Sequence, residues 1–195
     1  MTSDYKLDMT TMFAYHDALR RDLEPVAQMT GRSEGWDLFK KFLHVHHVAE
    51  DEALWPVMRQ ALIGRDDVTL VDEMAAEHAE LGPLLEIIDD ALDRGESAPA
   101  ARERLAARLQ QHLTHEEGAA MPVIDRTLSE EQWMHFGEAS AEKVGPDMPT
   151  FLPWLLAGAD GERTKVILAH LPEPAQRTYR NEWQPTYAAK DWWAT

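Results

Sequence analysis

Apolar residues recur at helical spacing over about the first 130 positions of the chain, in four long segments. In the first, Met12, His16, Leu19, Leu23 and Val26 share one stripe. In the third, Met74, His78, Leu81, Leu85 and Ile88 do so at the same offsets of 4, 7, 11 and 14 residues. The second segment runs Phe39, Leu43, His46, Glu50, Ala53, Val57 and the fourth runs Leu105, Leu109, His112, Glu116, Ala119, Val123, again with identical offsets of 4, 7, 11, 14 and 18. The pattern is that of a helical hairpin present twice. Short breaks rich in Gly, Ser and Asp (residues 30–35, 64–67 and 95–97) separate the segments, and loops this short join antiparallel neighbours. The expected fold is all-α, an up-down-up-down four-helix bundle over residues 1–128. A C-terminal helical and irregular extension over 129–195 is expected to pack on it.

Pro56 and Pro122 fall inside the second and fourth patterns, six residues after Glu50 and Glu116. Each removes a backbone donor, so the helix either kinks there or ends one turn past its glutamate. Beyond Leu128, Ser129-Glu130-Glu131-Gln132 has the form of a capping box opening a fifth helix to about Val144, which Gly145-Pro146 ends. The remainder is rich in Pro and Trp (Trp154, Trp183, Trp192, Trp193) and predicts short helices outside the bundle.

The polar residues change the picture. His16, His46, Glu50, His78, His112 and Glu116 all occupy core-stripe positions with Leu, Met, Phe or Ala one turn away. Histidine and glutamate four apart share a helix face, so each repeat presents an imidazole beside a carboxylate. A buried ionised carboxylate without a partner costs several kcal/mol, and no Lys or Arg falls on these stripes. A lone core histidine is ordinarily hydrogen-bonded, and a lone His-x-x-x-Glu is an ordinary helix pair. Six such residues in matching register instead read as a metal site.

Composition narrows the metal chemistry. Without cysteine, thiolate zinc sites and cysteine-held iron–sulfur clusters are excluded, leaving nitrogen and oxygen ligands. The formal net charge of −16 argues against a nucleic-acid or anionic-membrane partner. The N-terminus Met1-Thr2-Ser3-Asp4 lacks the form of a signal sequence, and the longest apolar stretch, around Phe151–Leu156, is too short to span a bilayer. A cytoplasmic location is expected.

Residues 10 to 128 resemble the hemerythrin-like (HHE cation-binding) family, whose pattern H…H-x-x-x-E…H…H-x-x-x-E is filled by His16, His46/Glu50, His78 and His112/Glu116. The stretch Glu50-Asp51-Glu52-Ala53-Leu54-Trp55-Pro56 is also similar to the family's. The tail, with Phe151–Leu156 and Trp183, is similar to extensions in actinobacterial hemerythrin-like proteins. The resemblance implies a non-haem di-iron pair, oxo- or hydroxo-bridged; by donor chemistry alone, manganese or zinc also suits imidazole and carboxylate. Two octahedral metals offer about 12 positions, of which six residues and a bridging oxygen leave about two open. Oxygen-carrying members use five histidines and two carboxylates. Here His78 is followed four residues on by Gly82 rather than His, which weighs against reversible oxygen carriage.

His47, rotated about 100° from His46, bears on that count. The preferred reading puts it at the edge of the stripe or in an interface; the alternative makes it a seventh ligand. His115 is a candidate for orienting a ligand or, with His47, for proton transfer. Asp51, Glu52 and Glu117 are read as solvated or supporting, and His44, His135 and His170 carry no assignment. The implied function is binding of, or reaction with, O2, NO or peroxide, with catalase- or peroxidase-like activity as its enzymatic form. The alternatives are a non-enzymatic iron or redox sensor and a metal-free interaction bundle.

Overall fold

The computed structural model describes residues 5–195, so the acidic start Met1–Asp4 lies outside the described residues. The repeated stripes become two helical hairpins. Helix α1 spans Thr10–Gln28, and α2, Glu34–Ala49, continues into α3, Trp55–Ala61. Helix α4 covers Thr69–Asp93, and α5, Pro99–His115, continues into α6, Met121–Thr127. Ser33 opens α2 by accepting from the Trp36 amide, with Glu34 and Asp37 in the first turn favouring the positive end of the helix dipole. The four long stretches pack as the expected bundle, α4 against α5, α5 against α1 and α1 against α2.

The prolines are accommodated by a device that periodicity did not anticipate. Both long stretches pass through a single π-helical turn, Glu50–Leu54 and Glu116–Ala120, and then resume as α-helix. The Trp55 amide donates five residues back to Glu50, and the Met121 amide does the same to Glu116. An α-helical proline ring would clash with the carbonyl four residues earlier. Widening the preceding turn relieves that clash, so Pro56 and Pro122 sit in the first turn of the resumed helix, where their missing N–H is not needed. The helices therefore neither stop one turn past the glutamate nor break at the proline. Each wide turn begins on the glutamate singled out by the sequence.

The apolar interior is divided in two. One cluster contains Leu19, Val26, Trp36, Phe39, Leu43, Leu81, Ile88, Leu105 and Leu109. The other contains Met12, Ala49, Leu54, Met58, Met74, Met121 and Ile124. Along every helix the stripe's histidines and glutamates fall between the two clusters, which makes them a polar layer sealed by hydrocarbon on both sides.

The extension begins with α7, Glu130–Val144, opened by the expected capping box between Ser129 and Gln132. It packs on α2 and the first π turn, where Lys143 pairs with Glu52 at 2.6 Å. Helix α8, Met148–Leu156, buries all six residues from Phe151 to Leu156 and lies against α1. Arg21 of α1 donates to the carbonyls of Trp154 and Ala157 at 2.9 and 2.7 Å, satisfying the C-terminal end of α8. Helices α9, Gly161–Ala169, α10, Glu173–Thr178, and α11, Gln184–Ala188, follow, the last two joined by a π turn at Tyr179–Trp183. Among the described residues no helix is long and apolar enough to cross a membrane.

The chain ends back on the start of α2. Gly35 donates its amide to the Trp192 carbonyl, and Lys190 pairs with Glu34. A Cβ at position 35 would meet the Trp193 ring at 2.6 Å and the Trp192 carbonyl oxygen at 2.8 Å. Because one obstacle is backbone, Gly35→Ala is expected to undock residues 190–195, at about 1–3 kcal/mol if they remain in place. Trypsin should then cleave after Lys190 faster than in the parent, with circular dichroism of the bundle unchanged; equal cleavage rates would contradict this.

Candidate metal centre

Each half of the polar layer draws on both hairpins. Among the described residues, donor atoms of His16, His46, Glu50 and Glu116 lie within 4.8 Å of one another, as do those of His47, His78 and His112. Glu50 reaches both groups: one carboxylate oxygen is 3.3 Å from His46 Nε2 and the other 3.3 Å from His78 Nε2. Glu116 also lies between them, with Oε2 3.2 Å from His16 Nε2 and 3.9 Å from His112 Nε2. Two ligands held at about 2.1 Å from one metal and at right angles are roughly 3 Å apart. The donors therefore already stand near the separation of neighbouring ligands.

Their satisfaction points the same way. The Nε2 atoms of His16, His46, His47, His78 and His112 and both oxygens of Glu50 and Glu116 are buried without a well-formed hydrogen bond. Buried polar atoms are ordinarily paired, and each unpaired one costs about 1–3 kcal/mol. A cation in each group would satisfy this set at once. Imidazole and carboxylate facing inward from bundle helices suit iron, manganese or zinc.

The opposite ring nitrogens are anchored from outside. His16 Nδ1 is 2.9 Å from Glu117, which Arg20 holds at 2.6 Å; His78 Nδ1 is 2.9 Å from Asp51; His112 Nδ1 is 2.9 Å from Glu77. Bonds of this kind set the ring orientation and make Nε2 the free donor. Asp51 and Glu117, read from sequence as solvated or supporting, support, and each crosses between hairpins. Glu52 is engaged with Lys143 at the surface instead. Glu77 also binds His115 Nδ1 at 2.8 Å, so His115 touches the site only through that carboxylate. Tyr15 stacks on the His46 ring at 4.5 Å between centroids and donates its hydroxyl to the Phe42 carbonyl at 2.8 Å.

The structure brings together all six residues of the predicted stripe set and adds His47 to them. His46 and His47 straddle the inner face of α2. One turns toward α1 and the other toward α4 and α5, where it stacks on His78 at 3.9 Å and meets His112 edge-on at 5.3 Å. His47 thus lies in the interface of α2 with α4 and α5, one of the two placements preferred from sequence, and its Nε2 is buried beside those of His78 and His112, as the seventh-ligand alternative would require. Gly82 is exposed, with nothing within 4 Å of a Cβ built there, so a side chain at that position would point away from the site. His44, His135 and His170 are exposed. Sequence reasoning missed Glu77, Arg20 and Tyr15. Glu77 adjoins His78 and Tyr15 adjoins His16, a hint that was present but nonspecific.

Without a cation the layer distributes charge unevenly. Burial, and then the neighbouring Glu116, push the Glu50 pKa well above the ordinary carboxylate value. Burial opposes ionisation of Glu116 too, but His16 and then His112 draw its pKa down to about 2. Burial likewise opposes charge on His16, yet Glu116, with Glu117, raises it to about 9. Burial and the neighbouring imidazoles hold His46 and His47 well below the usual range. The cation-free layer thus has an ion pair between His16 and Glu116 beside a Glu50 that favours its neutral form.

Residues 8–124 match the family model described as Hemerythrin HHE cation binding domain. Neither the curated proteins nor the solved structures gave a match.

The raised His16 pKa fixes a pH dependence. Its stabilising charge is fully present below the unfolded value of 6.5 and is lost as pH rises through about 9, and Glu50, also raised, acts in the same direction. Chelator-stripped protein is therefore expected to lose on the order of 1–3 kcal/mol between those pH values. Cation affinity should rise over the same range as proton competition falls. Denaturant midpoints of the stripped protein that are level from pH 6.5 to 9 would contradict this.

Proposed function

Since the chain belongs to the hemerythrin HHE cation-binding domain family, we propose that it is a non-haem di-iron protein that binds or reacts with O2, NO or peroxide. The observation that carries the reading is the set of inward-facing imidazole nitrogens and carboxylate oxygens, buried without well-formed hydrogen bonds and grouped in two clusters, with Glu50 and Glu116 in one and 3.3 and 3.9 Å from His78 and His112 of the other. His16 and His46 would hold one iron, and His47, His78 and His112 the other, with the two glutamates common to both. Bound iron supplies the redox equivalents for chemistry on a small oxygen- or nitrogen-based ligand. The likeness of the extension to those of actinobacterial members belongs to the same reading.

Counting His47 revises the open positions. With five imidazoles, two shared carboxylates and a solvent-derived oxygen as donors, about 11 of about 12 octahedral positions would be supplied, and the one left would belong to the metal held by His16 and His46. The ground for disfavouring reversible oxygen binding, an absent ligand at Gly82, is thereby removed. Asp51, Glu77 and Glu117 keep Nε2 of their histidines pointed inward, while Tyr15 and the two apolar clusters keep bulk water from the layer. His115, 32% exposed, and Glu77 form a hydrogen-bonded line from solvent to His112, placed to move a proton between them. A second reading, a non-enzymatic iron or redox sensor, is favoured by one observation: Tyr15 links the His46 ring to Phe151 and Trp154 of the extension.

Protein purified without chelator should contain about two irons per chain and absorb in the near ultraviolet, with bands that change on adding azide or peroxide. Less than one equivalent of iron, manganese or zinc would overturn the reading. His47→Ala removes one of the three imidazoles of its cluster and is expected to make one of the two irons exchange faster with a competing chelator; retention of both irons equal to the parent's would remove His47 from the ligand set. Peroxide turnover no faster than that of free iron would eliminate the enzymatic form while leaving ligand binding.

A further inference from the structure

Helix α8 lies outside the family match, yet one of its residues comes within two ring contacts of the metal layer. Trp154 is fully buried, and its indole meets the Tyr15 ring nearly edge-on at 5.4 Å; Tyr15 in turn stacks on His46 at 4.5 Å. An unbroken aromatic line therefore joins a candidate ligand to the extension. Its two members differ in what their polar hydrogens face. The Tyr15 hydroxyl donates to a peptide carbonyl, that of Phe42, which cannot take up a proton. The Trp154 indole N–H donates at 2.7 Å to the carboxylate of Asp22, a base that is itself buried.

We infer that Trp154 is a redox-active residue: it gives up one electron through Tyr15 and His46 toward the dinuclear site and passes its indole proton to Asp22. The inference rests on the di-iron reading above and names peroxide as oxidant. Peroxide takes up two electrons and two protons to become two waters. When the irons hold a single reducing electron, Trp154 supplies the other and becomes a neutral radical, its own proton staying on Asp22 while solvent provides those in water. The Arg21 guanidinium lies 5.7 Å from the indole centroid and opposes a positive ring, so loss of the proton accompanies loss of the electron. Asp22 also pairs with Arg21 at 3.0 Å, which opposes its protonation, but burial outweighs this and pushes its pKa up, which favours keeping that proton. A buried indole needs an acceptor for packing alone, but packing does not require that the acceptor be a carboxylate or that the ring touch the Tyr15–His46 stack.

The test is freeze-quench electron paramagnetic resonance of iron-loaded protein, reduced by one electron per iron pair and mixed with one equivalent of hydrogen peroxide. The expected result is a neutral tryptophanyl radical whose line shape narrows when the protein is grown on ring-deuterated tryptophan. Trp154→Phe should abolish it. Asp22→Asn, which keeps a hydrogen-bond acceptor but removes the base, should lower its yield, and Tyr15→Phe, which keeps the ring contact, should preserve it. A radical of equal yield in Trp154→Phe would overturn the inference. So would the absence of any protein radical in a parent whose iron bands show that peroxide has reacted, and this second outcome needs no variant to fold. Protein that takes up no iron, or whose iron bands ignore peroxide, fails the di-iron reading instead and takes this inference with it.

Discussion

Two carboxylates, Glu50 and Glu116, lie fully buried between two hydrocarbon clusters, and much of the architecture follows from how that burial is tolerated. Among the described residues neither pairs with a lysine or arginine; His16, His46, His78 and His112 lie 3.2–3.9 Å from them instead. Removing two such charges from water costs several kcal/mol each unless opposite charge compensates. Without a cation the compensation is partial, a proton favoured on Glu50 and an ion pair at His16–Glu116. The outer acids Asp51, Glu77 and Glu117 complete the pattern by anchoring Nδ1 of His78, His112 and His16, so that the Nε2 atoms of these rings face the same space. The fold thus holds a donor set ready for a doubly charged ion and is least well satisfied in its absence.

The π turns are part of this arrangement. Each begins on a buried glutamate and is followed by a proline. The wide turn frees the backbone from regular spacing where the side chains need it. Glu50 turns to the interior while Asp51, the next residue, reaches His78 on another helix; Glu116 and Glu117 repeat this toward the interior and His16. A backbone irregularity kept in both repeats, at the same distance from the same residue types, marks a working part of the site.

Periodicity made the bundle legible because the stripes of all four helices are long and interrupted only by the residues of the polar layer. The six matching histidines and glutamates were legible for the same reason, as polar residues at apolar positions. His47 was legible only as an alternative, because consecutive residues diverge on a helix and a stripe drawn through His46 excludes its neighbour by construction. Only the packing of α2 between α1 on one side and α4 and α5 on the other shows that both directions are interior. Glu77 shows the same limit from outside: among many surface acids, nothing in the sequence marks the one that two imidazoles will meet. The extension resisted for a different reason. Its short helices carry too few turns for a period, and their placement depends on single contacts such as Trp154 with Asp22 and Gly35 with the chain end.

Neither hairpin owns a complete site. The first cluster takes Glu116 from the second hairpin, the second takes His47 from the first, and the acids that steady His16 and His78 are exchanged in the same way. Each half of the chain therefore serves as the other's ligand, and the loop at residues 62–68 makes their encounter intramolecular. Association that would depend on concentration for separate halves is replaced by a high effective concentration set by a short tether. Cation capture and closure of the bundle are on this account one equilibrium viewed from two sides, so an ion that leaves loosens the contact between hairpins as well as the site.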